Sequence, residues 1–205
     1  MVTKVETPHH PPLYRVWQFI QALTARRLTP TEWLEVSSFL TPPQQRLFRR
    51  METNDQRHSL QVLHTLAREG ETCHDLLVAA LLHDVGKSRH PLRLWERPIV
   101  VLIRLFRPAM VMRWGRHTGN QGWGWKRPFI IYEQHPAWGA QMATTAGCSP
   151  LTVWLIRRHQ ERPAAPYSVG PRQTAGRRQG GMTPSGQDES EQRLLQALQR
   201  ADSEN

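Results

Sequence analysis

Between Leu76 and Leu82 the chain reads LLVAALL, seven apolar residues in succession, and passes at once into His83 and Asp84. A helical stretch with no polar interruption has no face to offer to water, so it must be central, surrounded on all sides. Taken with its flanks, Cys73 to Val85 is expected as a buried helix that ends in an imidazole and a carboxylate. Two polar groups left uncompensated in such a place cost on the order of a few kcal/mol each. Pairing, hydrogen bonding or coordination of a cation must offset that. A divalent cation accepts nitrogen from a neutral imidazole and oxygen from a carboxylate, and it eases burial of the negative charge. The plainer alternative is a His83–Asp84 hydrogen bond that shapes the helix end. This stretch alone leaves both open.

Helical punctuation recurs elsewhere. Thr29 with Pro30, and Thr41 with Pro42, have the form of an N-cap followed by proline at the first helical position. From Thr53 to Gly70, Leu60, Leu63, Leu66 and Ala67 recur at the spacing of one helix face, and the glycine closes it. Gly147 ends a later helix and Ser149-Pro150 begins the next. Strand-like alternation is lacking, so the fold class expected is all-α.

The chain of 205 residues suits one domain with a sizeable core. Residues 1–52 are expected to form helices packing on a core of 53–161, which carries an insert at 89–127. A flexible Pro/Gly-rich loop then spans 162–187, and 188–205 forms a last helix. The insert holds nine Arg/Lys against the single acid Glu96, and four of the eight tryptophans. It supplies most of the +10 net charge, which favours anionic partners but does not specify a fold. With two cysteines, Cys73 and Cys148, there is neither a disulfide framework nor a CxxC metal site. A cytoplasmic protein without a signal peptide or membrane span is expected, with peripheral membrane attachment as an option. No GxxxxGK[ST] phosphate-cradling loop is present, which argues against ATP-driven chemistry.

Of ten histidines, His9, His10, His64, His74, His90 and His117 lie among polar or basic neighbours and carry an ordinary reading. The other four form a series: His58, His83 with Asp84, His135 and His159, followed by Asp202. Through RHS at His58, LLHDVGK at His83 and Asp84, EQHPAWGAQM at His135, RRHQE at His159 and LLQALQRAD ending in Asp202, the sequence resembles the HD-domain metal-dependent phosphohydrolases. The order is that of their six-ligand, two-metal branch. HQERPAAPYSVG stands where the HD-GYP phosphodiesterases carry their GYP turn, so that subgroup is not supported.

The resemblance implies an HD-domain-like helical bundle in which His58, His83, Asp84 and Asp202 bind one metal. His135 and His159 would bind a second, with Asp84 between the two. Iron or manganese suits ligands without thiolate, with magnesium, zinc or nickel as alternatives. Asp84 and Lys87 are the catalytic candidates, and metal-activated water would attack the phosphorus of a nucleotide-like substrate. Lys87 is equally readable as a solvated cation at a helix end. Lys87, Arg89 and Arg93, or Arg97, would collect substrate phosphates while Trp95 or Trp123 stacks a base. Glu161 either orients a ligand or is simply exposed. For the insert, a lid is weighed against an interfacial segment at Ile99–Trp114 with Arg104, Arg107 and Arg113, and against a plain helix pair broken at Pro108. The reading from another class is a non-catalytic HD domain that binds nucleic acid or an anionic membrane through 89–127.

Overall fold

The structure is a computed structural model that describes residues 26–91, 123–161 and 186–205. Among them are seven α-helices and no strand: α1 (Pro30–Phe39), α2 (Pro42–Arg50), α3 (Thr53–Arg68), α4 (His74–Leu82), α5 (Arg127–Thr145), α6 (Pro150–Arg158) and α7 (Gly186–Glu204). Short 3-10 turns at Val85–Arg89 and Gly124–Lys126 follow α4 and precede α5.

Local chemistry starts and stops these helices. At α1, Glu32 N–H donates to Thr29 Oγ1 at 3.2 Å and Thr29 N–H donates back to Glu32 Oε2 at 2.7 Å. That reciprocal pair satisfies two amides the first turn would leave bare. At α2, Thr41 N–H donates to Gln44 Oε1 at 2.9 Å. At α6, Thr152 N–H donates to Ser149 Oγ at 3.0 Å, and Ser149 Oγ–H donates in turn to Asp75 Oδ1 at 2.6 Å. The start of α6 is thereby tied to the start of α4. Past the ends of α3 and α5, Gly70 and Gly147 take φ of 81° and 74°, a left-handed conformation that costs glycine nothing.

All seven residues of the apolar run are buried, and α4 lies central, touching α1, α2, α3, α6 and α7. Its α-helical part ends at Leu82, short of the expected Val85. Asp84 turns to φ −94°, ψ 1°, and the chain continues as a 3-10 turn laid along α5. An unbroken apolar run does not reveal where the helix must bend to meet a neighbour. On α3 the buried face is Leu60, Val62, Leu63 and Leu66, with Ser59 and Thr65. Ala67, expected on that face, is exposed, because one residue beyond Leu66 the helix has rotated about 100° toward solvent.

One core cluster draws on all seven helices, from Val36 and Phe48 through Leu63, Leu81, Ala143 and Ile156 to Leu198. On α7, Leu194, Leu195, Leu198 and Ala201 form its buried stripe. Among the described residues no helix is long and apolar enough to cross a membrane. Outside the described residues lie the first half of segment 1–52 and nearly all of the 162–187 loop. So do Arg93, Trp95, Arg97 and Ile99–Trp114 of the insert, with Pro108.

Candidate metal centre

Five helices deliver six side chains to one place. His58 comes from α3, His83 and Asp84 from the end of α4, His135 from α5, His159 from the end of α6, and Asp202 from α7. They form two groups, His58–His83–Asp202 and Asp84–His135–His159; within each, one ligand atom per residue lies within 4.8 Å of the others. In the first group His58 Nε2 is 2.7 Å, and His83 Nε2 3.4 Å, from Asp202 Oδ1. In the second, Asp84 Oδ1 is 3.2 Å from His135 Nε2 and 3.9 Å from His159 Nε2. Asp84 Oδ2 lies 3.5 Å from His83 Nε2, so this carboxylate stands between the two groups.

The rings are aimed by the backbone. His83 Nδ1 donates to the Ala80 carbonyl at 2.9 Å, His135 Nδ1 to Tyr132 at 2.7 Å, and His159 Nδ1 to Ile156 at 2.7 Å. These are one contact repeated three times, to the carbonyl three residues earlier. A neutral imidazole that spends its Nδ1–H this way presents Nε2 as a lone pair, the arrangement seen around ligating histidines. His83 Nε2 is buried and makes no hydrogen bond. His135 and His159 bring Nε2 within 3.3 Å of each other, and in this tautomer neither can donate. Bare nitrogens facing one another beside the buried Asp84 and half-buried Asp202 carboxylates fit a divalent cation. Ligand bonds of roughly 2.0–2.2 Å come close to spanning each group.

The charges tell the same story. Burial opposes a charge on His83, but the adjacent Asp84 and Asp202 outweigh it and raise its pKa to about 10. Burial likewise works against the Asp84 carboxylate, yet Lys87, His83 and the contact to His135 hold it well below its ordinary value. Asp202 is lowered in the same manner by His58 and His83. Burial, with His83 and His135 close by, pushes His159 down to about 3. Two lowered carboxylates around a raised His83 mark a place that stabilises positive charge, the neutralising role a cation would fill.

Lys87 Nζ donates to Asp84 Oδ2 at 2.5 Å, turned onto the carboxylate rather than into solvent. Arg89 is exposed, with its guanidinium carbon 5.6 Å from the Trp138 ring centre. Glu161 is exposed, its carboxylate 3.8 Å from Arg158, and it takes no part in the cluster. His90 stands edge-on to Trp123 at 4.9 Å and to Trp138 at 5.1 Å, and those two indoles lie within 8° of parallel. His64 pairs with Glu35 at 2.9 Å.

Three residues the reading of motifs passed over shape the centre. A Cβ on Gly86 would stand 1.9 Å from the His135 carbonyl oxygen and 2.7 Å from the Gly139 amide nitrogen. Only glycine lets the turn after Asp84 lie this close to α5, and that approach brings Asp84 to His135. Pro136 lies inside α5 directly after His135. The signals were two glycines and a proline, each beside or within one turn of a ligand candidate.

No curated protein and no solved structure matches the chain. A family model described as HD domain matches residues 56–203, which span all six side chains and most of the sequence. That match, over more than half of the chain, places the protein in the HD-domain family.

Proposed function

We propose that the protein is a metal-dependent phosphohydrolase that cleaves a phosphomonoester or phosphodiester of a nucleotide-like substrate with activated water. The observation that carries this reading is the pair of His/Asp groups meeting at Asp84, one fully buried and the other half-buried around His83. His58, His83 and Asp202 would hold one ion, and Asp84, His135 and His159 a second. When bound, such ions supply Lewis acidity and bring the pKa of water toward neutrality. Iron or manganese is the favoured identity.

The chain's own residues do the rest. The i−3 carbonyls hold three imidazoles in the ligand tautomer, so no reorganisation is needed when charge develops. Lys87 keeps Asp84 ionised and has further N–H groups to offer a phosphate oxygen. Beside the turn that carries Asp84, Arg89 and Arg127 flank the His90–Trp123–Trp138 rings, a setting suited to a phosphate joined to a flat ring. Cys73 and Cys148 are free thiols, which fits a reducing cytoplasm.

The test is a panel of phosphomonoesters and phosphodiesters assayed with Mn2+ or Fe2+, for wild type, His83→Ala and Asp84→Ala. Each substitution is expected to lower turnover at least about 10³-fold, the scale of losing a transition-state stabilising group. Full activity in both variants would place the chemistry elsewhere. A non-catalytic domain contacting nucleic acid or an anionic membrane is the second reading. It draws on the 62% exposure of Trp125 with Lys126 5.8 Å from its ring. Such binding would survive His83→Ala and weaken steeply with salt.

A further inference from the structure

We infer that Pro136 is a positioning residue: by withholding an amide proton it reserves the Tyr132 carbonyl for His135 Nδ1, and so sets the tautomer and aim of that imidazole. In an α-helix the N–H of residue 136 belongs to the carbonyl of residue 132. Proline has no N–H, so that carbonyl is left without its helical donor. His135 Nδ1 occupies it at 2.7 Å, with the Ile131 carbonyl farther off at 3.3 Å.

His83 and His159 show why the device is needed. Both cap the C-terminal ends of their helices, where the last carbonyls are orphaned by the helix stopping. Their Nδ1 groups bond Ala80 and Ile156 without any special residue. His135 makes the same contact in the middle of α5, more than two turns before its end at Thr145. There the Tyr132 carbonyl would already carry a backbone donor if residue 136 were not proline, and the ring would have to share it, as the Thr144 hydroxyl shares the Ala140 carbonyl. Proline is also the least favourable residue for a helix interior, so its presence in α5 works against local propensity.

The alternative tautomer has a partner waiting. With the proton on Nε2, His135 would donate to Asp84 Oδ1, 3.2 Å away, and lose its lone pair toward the centre. Pro136 tips the ring against that state.

The consequence for metal binding rests on the reading proposed above; the tautomer itself does not. The experiment uses protein with 15N-labelled histidine, freed of metal, and reads the His135 tautomer from long-range 1H–15N correlations. Wild type is expected to show Nδ1–H. Pro136→Ala is expected to stay folded by circular dichroism, since alanine is the better helix former, and to move His135 toward Nε2–H. Titration with Mn2+ should then show one ion bound about tenfold more weakly, as for loss of other partners that orient a ligand, with the other ion unchanged. Pro150→Ala, at the first position of α6 where the amide is orphaned in any case, should alter neither readout. An Nε2–H tautomer in metal-free wild type overturns the inference whether or not the variant folds. So does a variant with unchanged tautomer and unchanged Mn2+ affinity. If wild type binds no Mn2+, the proposed function fails while the tautomer comparison still decides the role of Pro136.

Discussion

Gly86→Ala puts a methyl group where the structure has the carbonyl oxygen of His135. The added Cβ would lie 1.9 Å from that oxygen and 2.7 Å from the Gly139 nitrogen, both backbone atoms that cannot rotate away. A C···O contact settles near 3.3 Å, so the turn at Val85–Arg89 must move off α5 by about 1.4 Å. Overpacking of this kind costs about 1–3 kcal/mol. In a chain of this size that lowers Tm by roughly 2–12 °C. The displacement also separates Asp84 from His135, now 3.2 Å apart, and misplacements near 1 Å cost about 10²-fold in rate. Gly70→Ala is the comparison: with φ at 81° and nothing within 4 Å, it strains the backbone by about 1–2 kcal/mol but leaves the centre alone. Thermal melts and metal content per chain, by elemental analysis, separate the two. Both variants should melt earlier, and only Gly86→Ala should lose metal. A Gly86→Ala protein with wild-type Tm and metal content would refute the argument.

Asp202→Ala should remove the ion held with His58 and His83 while the Asp84–His135–His159 group keeps its own; elemental analysis giving an unchanged metal count would exclude Asp202 as a ligand. The pH dependence of stability should differ with and without metal. His83, raised to about 10, contributes stability that is complete below its ordinary value of 6.5 and lost as pH rises through 10. His159, lowered to about 3, is neutral in the fold, so stability falls as pH drops from 6.5 toward 3, and the lowered Asp84 and Asp202 add to that loss at acid pH. Chelated protein should therefore show its highest urea midpoint near pH 6.5, and Mn2+ should abolish the alkaline decline by replacing the proton on His83. Equal alkaline slopes with and without Mn2+ would count against a cation at His83.

Features set by a few neighbouring residues were legible in the sequence. Thr29-Pro30, Thr41-Pro42 and Ser149-Pro150 start helices, and Gly70 and Gly147 stand just past helix ends, because caps act within one turn. Leu76–Leu82 announced a buried centre, and the order of histidines and aspartates announced the family. The bend at Asp84 was not legible, since it answers to α5, which begins more than 40 positions later. Neither was the meaning of Gly86: an absent side chain signals a close approach only once the approaching backbone is known. Pro136 was visible as a residue, but its effect passes through the carbonyl of Tyr132 to a ring nitrogen, a relation no hydrophobic period records. The packing of Arg89 near Trp138 was not legible either, because the tight 3-10 turn after Asp84 decides which ring the guanidinium meets.

The two groups differ in how far the chain must travel to close them. His135 and His159 are 24 positions apart, whereas His58 and Asp202 are 144 apart. Closure entropy grows as the logarithm of that separation, a difference of about 1.6 kcal/mol against the longer contact. Helices α5 and α6 are neighbours in sequence and form a hairpin of low contact order, so His135 and His159 can meet while α7 is still undocked. Closure cost thus sets the two groups apart, with the His58–Asp202 contact as the long-range clasp that joins α7 to α3.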